Sequence, residues 1–246
     1  MRVPSAAELL GTWDSASQAS GAQRALLLLQ MVCPEPVELL TQMPLGWIAA
    51  QLLKLRAMLL GPEIVCLANC QQCGTVVESS VLVEQLTALA GNAELEKTRP
   101  KLFPLKQGDY CIEFKLPTCA DLIALHGNLQ SAAQALELSQ VQRALHKGKV
   151  LEPSHLPIDV REALQHAVLE HDPLAHIELS LTCPSCGLRW LETLQVIDFV
   201  WTEISALAQR LLGEVARLAY AFGWREADIL AMSDTRRRRY LELLPS

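Results

Sequence analysis

Two short cysteine motifs carry the chemistry of this sequence: Cys70-Gln71-Gln72-Cys73-Gly74 and Cys183-Pro184-Ser185-Cys186-Gly187. Two residues between thiols let both sulfurs point to one side of a tight turn, and the glycine permits the positive φ that closes it. One such turn supplies half of the four thiolate or imidazole ligands that a structural zinc ion takes at tetrahedral corners. Two turns supply the whole set. Cys70, Cys73, Cys183 and Cys186 are therefore the expected ligands of a single structural Zn2+. Each motif lies between β-like segments, as the knuckle of a hairpin does, and two facing knuckles make a zinc ribbon.

Other uses of paired cysteines fit less well. A thioredoxin-like redox pair sits at a helix N-terminus, whereas both motifs here run into strand-like residues. Iron–sulfur clusters favour denser spacings. Catalytic zinc keeps an open position and mixes in His or carboxylate ligands, and only His176, seven positions before Cys183, lies near a knuckle. Cys33, Cys111 and Cys119 fall on apolar positions and are expected as small core residues. Cys66 could substitute as a ligand, but is expected to pack inward from the strand leading to the first knuckle.

The knuckles must be positioned by elements far apart in the chain. Ser5-Ala6-Ala7-Glu8 has the capping-box pattern, with Leu9, Leu10 and Trp13 behind it. Helices are expected over 21–31, from Pro34-Glu35, and over 45–60, ending at Gly61-Pro62. Strand, turn and strand follow across 64–78, then a brief helix over 83–89 and a loop over 91–108. Residues 110–116 alternate as a strand, and Thr118-Cys119-Ala120-Asp121 caps a new helix. Helices are expected over 131–146 and 159–169, with the proline-rich link 149–157 between them. The strand–turn–strand pattern returns around the second knuckle. Val200, Trp201, Ile204, Leu207, Leu211, Val215, Leu218 and Phe222 then trace one face of a long helix with Gly223 at its end, and two short helices close the chain. The expected fold is mainly α with a small β component, a helical domain with a discontinuous zinc ribbon made of two Cys-x-x-Cys hairpins. It reads as one interleaved domain over 1–246: helices in 1–62, the first knuckle in 63–82, an inserted helical region in 109–175, the second knuckle in 176–195, and the long and short helices in 196–246.

Half of the 246 residues are hydrophobic, and the mean hydropathy is +0.20. Both suggest apolar surface that a partner covers. A net charge of −6 repels nucleic acid unless basic residues are concentrated. The one concentration is Arg236-Arg237-Arg238-Arg239, near Asp234 and Glu242. Packing of Tyr240, Leu241 and Leu244 would leave these four arginines outward, either simply solvated or available to an acidic partner surface. Met1-Arg2-Val3-Pro4-Ser5 leads into an amphipathic segment without an apolar signal region, and the apolar stretch 196–222 carries too many charges to span a membrane. The expected compartment is the cytoplasm, where thiols stay reduced and cysteines serve metals. The six histidines, at 126, 146, 155, 166, 171 and 176, form no catalytic pattern, and Asp172-Pro173 reads as a turn. Without a phosphate loop, nucleophile elbow or His-Glu-x-x-His, neither an enzyme nor a small-molecule substrate is expected.

The opening Pro4-Ser5-Ala6-Ala7-Glu8-Leu9-Leu10 with Trp13, Arg24 to Leu29, Leu59-Leu60-Gly61-Pro62 and Phe114-Lys115-Leu116-Pro117-Thr118 with Asp121-Leu122 form a recognisable series. It continues through the second knuckle with Trp190, Trp201-Thr202-Glu203-Ile204, Ala221 to Leu230 and Arg236 to Leu244. In this order the sequence resembles the T4-type phage baseplate protein family, described in part as baseplate hub assembly chaperones, with relatives beside genes for contractile injection systems. The first knuckle lacks the proline of the family's Cys-Pro-x-Cys-Gly, which keeps the ligands and leaves the turn less rigid. The stretch 89–109 is longer and more irregular than the family pattern. The resemblance implies a role in forming the baseplate of a contractile tail or injection particle, with baseplate or tail proteins as partners. The alternative is a zinc-ribbon nucleic-acid-binding regulator acting through Arg236 to Arg239.

Overall fold

A computed structural model of the chain describes residues 1–88, 101–125 and 129–244. Four helices open it: α1 (Ala6–Ala16), α2 (Gly21–Val32), α3 (Val37–Thr41) and α4 (Leu45–Leu60). Reciprocal capping boxes start α1 (Ser5 with Glu8) and α2 (Ser20 with Gln23), satisfying amide donors that a helix leaves free. The first hairpin, β1 (Glu63–Asn69) and β2 (Val76–Leu82), leads into α5 (Val83–Ala88).

The inserted region departs from the helical expectation. Strands β3 (Phe103–Gln107) and β4 (Tyr110–Phe114) precede α6 (Cys119–Ala124) and α7 (Leu129–Gln140). Next come β5 (Val141–His146), β6 (Lys149–Val150) and α8 (Ile158–His171). The four strands form one sheet in the order β3-β4-β5-β6. The expected helix over 131–146 thus ends at Gln140, and the chain pairs along β4 instead, with Ile112 opposite Ala144 and Cys111 opposite Leu145. This pairing buries Val141 and Ala144 with Ile112, Phe114 and the α8 residues Val160 and Leu164 in a core of their own. The described part of the expected 91–108 loop contains β3, whose Pro104 is tolerated on an edge strand; residues 91–100 lie outside the described residues.

The second hairpin, β7 (Ile177–Thr182) and β8 (Arg189–Leu194), returns the chain to the helical body through α9 (Val196–Phe222), followed by α10 (Glu226–Leu230) and α11 (Asp234–Glu242). At 27 residues α9 is about 40 Å long. Val200, Ile204, Ala208, Leu211, Val215 and Leu218 recur every three or four positions and are buried against α1, α2 and α4. Gly223 ends α9 in the left-handed conformation, φ 68°. Under this body Arg56, only 5% exposed, forms a forked pair with Glu203 at 2.8 and 2.9 Å and donates to the carbonyls of Gly61 and Glu63. No helix among the described residues is long and apolar enough to cross a membrane.

Candidate metal centre

The two knuckles have the same backbone wiring. In the first, the Gly74 N–H donates to the Cys70 carbonyl at 2.8 Å and the Cys70 N–H to the Thr75 carbonyl at 2.9 Å. In the second, the Gly187 N–H donates to Cys183 at 3.0 Å and the Cys183 N–H to Leu188 at 2.8 Å. Gly74 and Gly187 have φ of 72° and 76°, where a side chain would be strained. The turns close antiparallel ladders, with Asn69 opposite Val76 and Thr182 opposite Arg189, so each hairpin delivers its two thiols at the tip.

The tips meet. The four sulfurs of Cys70, Cys73, Cys183 and Cys186 all lie within 4.8 Å of one another. Across the knuckles, Cys70 Sγ is 3.5 Å from Cys186 Sγ, and Cys73 Sγ is 3.5 Å from Cys183 Sγ. A tetrahedron of thiolates about 2.3 Å from a central zinc has edges of about 3.8 Å. The donor set therefore fits a four-coordinate soft-metal site in number, chemistry and size, and these sulfurs are too far apart to be bonded in pairs. Cys70 and Cys183 are buried with Val77 in a small core that Leu188 and Trp190 flank, while Cys73 and Cys186 face solvent.

Electrostatics in the cluster are unequal. The Thr75 hydroxyl and amide beside Cys73 pull its thiol down to about 6. Amides at Cys186 and Ser185 lower Cys183. For Cys186 the Leu188 amide pulls the other way, but desolvation and three neighbouring sulfurs outweigh it and push the thiol up to about 12. Like charges this close cannot all ionise without a cation among them.

Thr75 and Ser185, which sequence reasoning missed, join the knuckles directly: their hydroxyl oxygens are 3.2 Å apart. A hydroxyl beside each Cys-x-x-Cys was the available signal. Cys66 stays in β1, half-buried against the main core and outside the sulfur cluster. Cys119 is buried and Cys33 half-buried, as expected of core residues. Cys111 is exposed, contrary to expectation, because β4 alternates and gives its inner face to Ile112 and Phe114.

Two further expectations change. The run Arg236 to Arg239 is not uniformly outward: Arg237 is 2% exposed and is held by Glu214 at 3.1 Å, by Asp234 and by the Met232 carbonyl. Arg236, Arg238 and Arg239 are exposed. Asp172 does more than turn the chain. Its buried carboxylate accepts from the Gly46 N–H at 2.9 Å, serving α4, whose N-cap Pro44 offers no side-chain bond. His126 lies outside the described residues.

No curated protein and no solved structure matches the chain. Residues 9–199, which include both knuckles and everything between them, match the family described as T4 bacteriophage base plate protein, and the chain belongs to that family.

Proposed function

We propose that this protein is a zinc-stapled, non-enzymatic part or assembly factor, chaperone-like in action, for the baseplate of a contractile phage tail or tail-like injection particle. It works in the cytoplasm, where its thiols remain reduced. Membership of the baseplate family supports the setting, and the convergence of four sulfurs from hairpins 110 positions apart carries the zinc. When bound, the ion would neutralise the crowded thiolates and fasten the chain on either side of the insertion into one unit. Structural zinc contributes about 10–16 kcal/mol of apparent binding energy, enough to decide whether the unit holds. The rival reading, a nucleic-acid regulator, loses one of its four clustered arginines to the interior.

The test has two readouts on protein purified from cells that make the particle. Metal analysis should find one zinc per chain. Mass spectrometry of proteins retained by the tagged chain should find baseplate components. Presence in assembly intermediates but not in finished particles marks a chaperone, and presence in both marks a structural part. A metal-free folded chain, or one retaining no baseplate component, ends this reading.

A further inference from the structure

Among the described residues β1 pairs with β2 and with no other strand, so one of its long edges is open. Two bonds bracket this ladder, from the Val83 N–H to the Pro62 carbonyl and from the Cys70 N–H to the Thr75 carbonyl, both 2.9 Å. In an antiparallel pair, bonded and non-bonded residue pairs alternate. Ile64, Cys66 and Ala68 therefore bond to β2, while Glu63, Val65, Leu67 and Asn69 turn their backbone groups to the open edge. Consistent with this, the Glu63 carbonyl is free to accept from Arg56. Val65, Leu67 and Asn69 are exposed.

Proteins blunt such edges with proline, lysine or a bulge. The insertion sheet does so, because its edge strand β3 carries Pro104 and Lys106. Strand β1 has neither residue, and its register with β2 runs unbroken over all seven positions. The odd-numbered residues of β1 also share one face of the hairpin with the even-numbered residues of β2. On it Leu82, Val65, Leu67 and Val76 follow one another as diagonal or same-strand neighbours, with Leu67 68% and Val76 60% exposed. The rest of this face is Glu63, Glu78, Asn69 and Ser80, all exposed, and neither glutamate forms an ion pair among the described residues. Across the two hairpins Glu63, Glu78, Glu178 and Glu192 outnumber the single Arg189.

We propose that the open edge of β1 receives an extended, basic segment of a partner protein with apolar residues at alternate positions, which adds a third strand to the hairpin. The backbone groups of Val65, Leu67 and Asn69 supply the hydrogen bonds, and alternate side chains of the added strand lie beside Val65 and Leu67. Charge complementarity with Glu63 and Glu78 selects lysine or arginine on that strand. A second copy suits the edge less, since its β1 would double the carboxylates of the face and bring no cation. The occupant is defined by this chemistry, whether or not it belongs to a baseplate.

A library of random peptides about ten residues long is selected on the full-length protein, and the enriched peptides are measured by fluorescence anisotropy. They should be positively charged, with apolar residues at alternate positions and no central proline. Leu67→Lys puts a cation on the open edge, and Val65→Pro removes an outward amide that the β1–β2 ladder does not use. Each should weaken binding about tenfold, the scale of one or two lost hydrogen bonds, with circular dichroism and metal content unchanged. N-methylation of the peptide tests the same edge with the protein untouched: methyl groups on one alternate set of amides should abolish binding, and on the other set should be tolerated. No enriched peptides, acidic ones, or binding indifferent to the methylated set or to both variants would overturn the proposal. So would a dimer of the parent chain, seen by sedimentation, that L67K dissolves, because the edge would then belong to a second copy.

Discussion

The main-chain N–H of Gly46 donates to the carboxylate of Asp172 at 2.9 Å, across 126 positions of sequence. The first is in the opening turn of α4 and the second directly follows α8, so this bond stitches the inserted region to the helical body. The neighbouring bond from the Leu45 N–H to the Pro117 carbonyl, 3.0 Å, reinforces the seam. A Cβ at position 46 would lie 1.8 Å from Asp172 Oδ1 and 3.0 Å from the Ala175 backbone nitrogen. Gly46→Ala, which in an open helix would gain about 1 kcal/mol, should here cost about 3 kcal/mol. Adding Asp172→Ala should recover part of the loss. Denaturant unfolding measures both, and a G46A chain as stable as the parent would show that the seam has slack.

Burial raises the Asp172 carboxyl to about 6 from the usual 3.8, although the Gly46 amide pulls it down. Between those two values the folded chain keeps a proton that the unfolded chain has lost, so this group's contribution to stability falls as pH rises. Above about 6 both states are ionised and the penalty is complete, up to about 3 kcal/mol. Asp172→Asn keeps an oxygen for the Gly46 amide and removes the charge. Unfolding at pH 4 and pH 7 should therefore show the difference between the two chains moving in favour of D172N as pH rises. The cysteine cluster titrates alike in both and drops out. A difference independent of pH would mean that Asp172 is ionised in the fold without penalty.

Cys186 is exposed and so is Cys111, yet only the first has three other sulfurs within 4.8 Å. Cys186→Ser should abolish stoichiometric metal and leave the chain protease-sensitive or insoluble, because metal affinity in such a site is also folding energy. Cys111→Ser should change neither metal content nor protease resistance. Prolonged chelation of the parent should reproduce the C186S pattern. Equal behaviour of the two serine variants would remove the cluster from its structural role.

What the sequence made legible is what is local. The knuckles, the Ser5 and Thr118 capping boxes, the span of α4 and the stop at Gly223 are each set by residues within a few positions of one another. The sheet of the insertion was not legible, because 141–146 continues a helical pattern without a breaker and becomes a strand only by pairing with β4. Gly46 with Asp172 escaped for the same reason, as two unremarkable residues whose chemistry exists only after the fold brings them together. Arg237 is different. It shares the i, i+3, i+4, i+7 face of Tyr240, Leu241 and Leu244, so the helical period already placed one arginine of the four inward.

That inward arginine gives the sharpest contrast available within four consecutive identical residues. Arg237 is buried with bonds to Glu214, Asp234 and the Met232 carbonyl, whereas Arg238 is exposed. Arg237→Ala leaves the Glu214 carboxylate and the Met232 carbonyl short of a donor, and breaking a buried pair in this way costs about 3–5 kcal/mol. Arg237→Lys should fail as well, since an ammonium cannot reproduce the forked contact to separate acceptors. Arg238→Ala should change stability by less than about 0.5 kcal/mol. Thermal unfolding separates the three, and limited proteolysis locates the damage: R237A should expose α11 to cleavage while the knuckles stay resistant. Were R237A and R238A equally mild, the anchoring of α11 through Glu214 would be wrong.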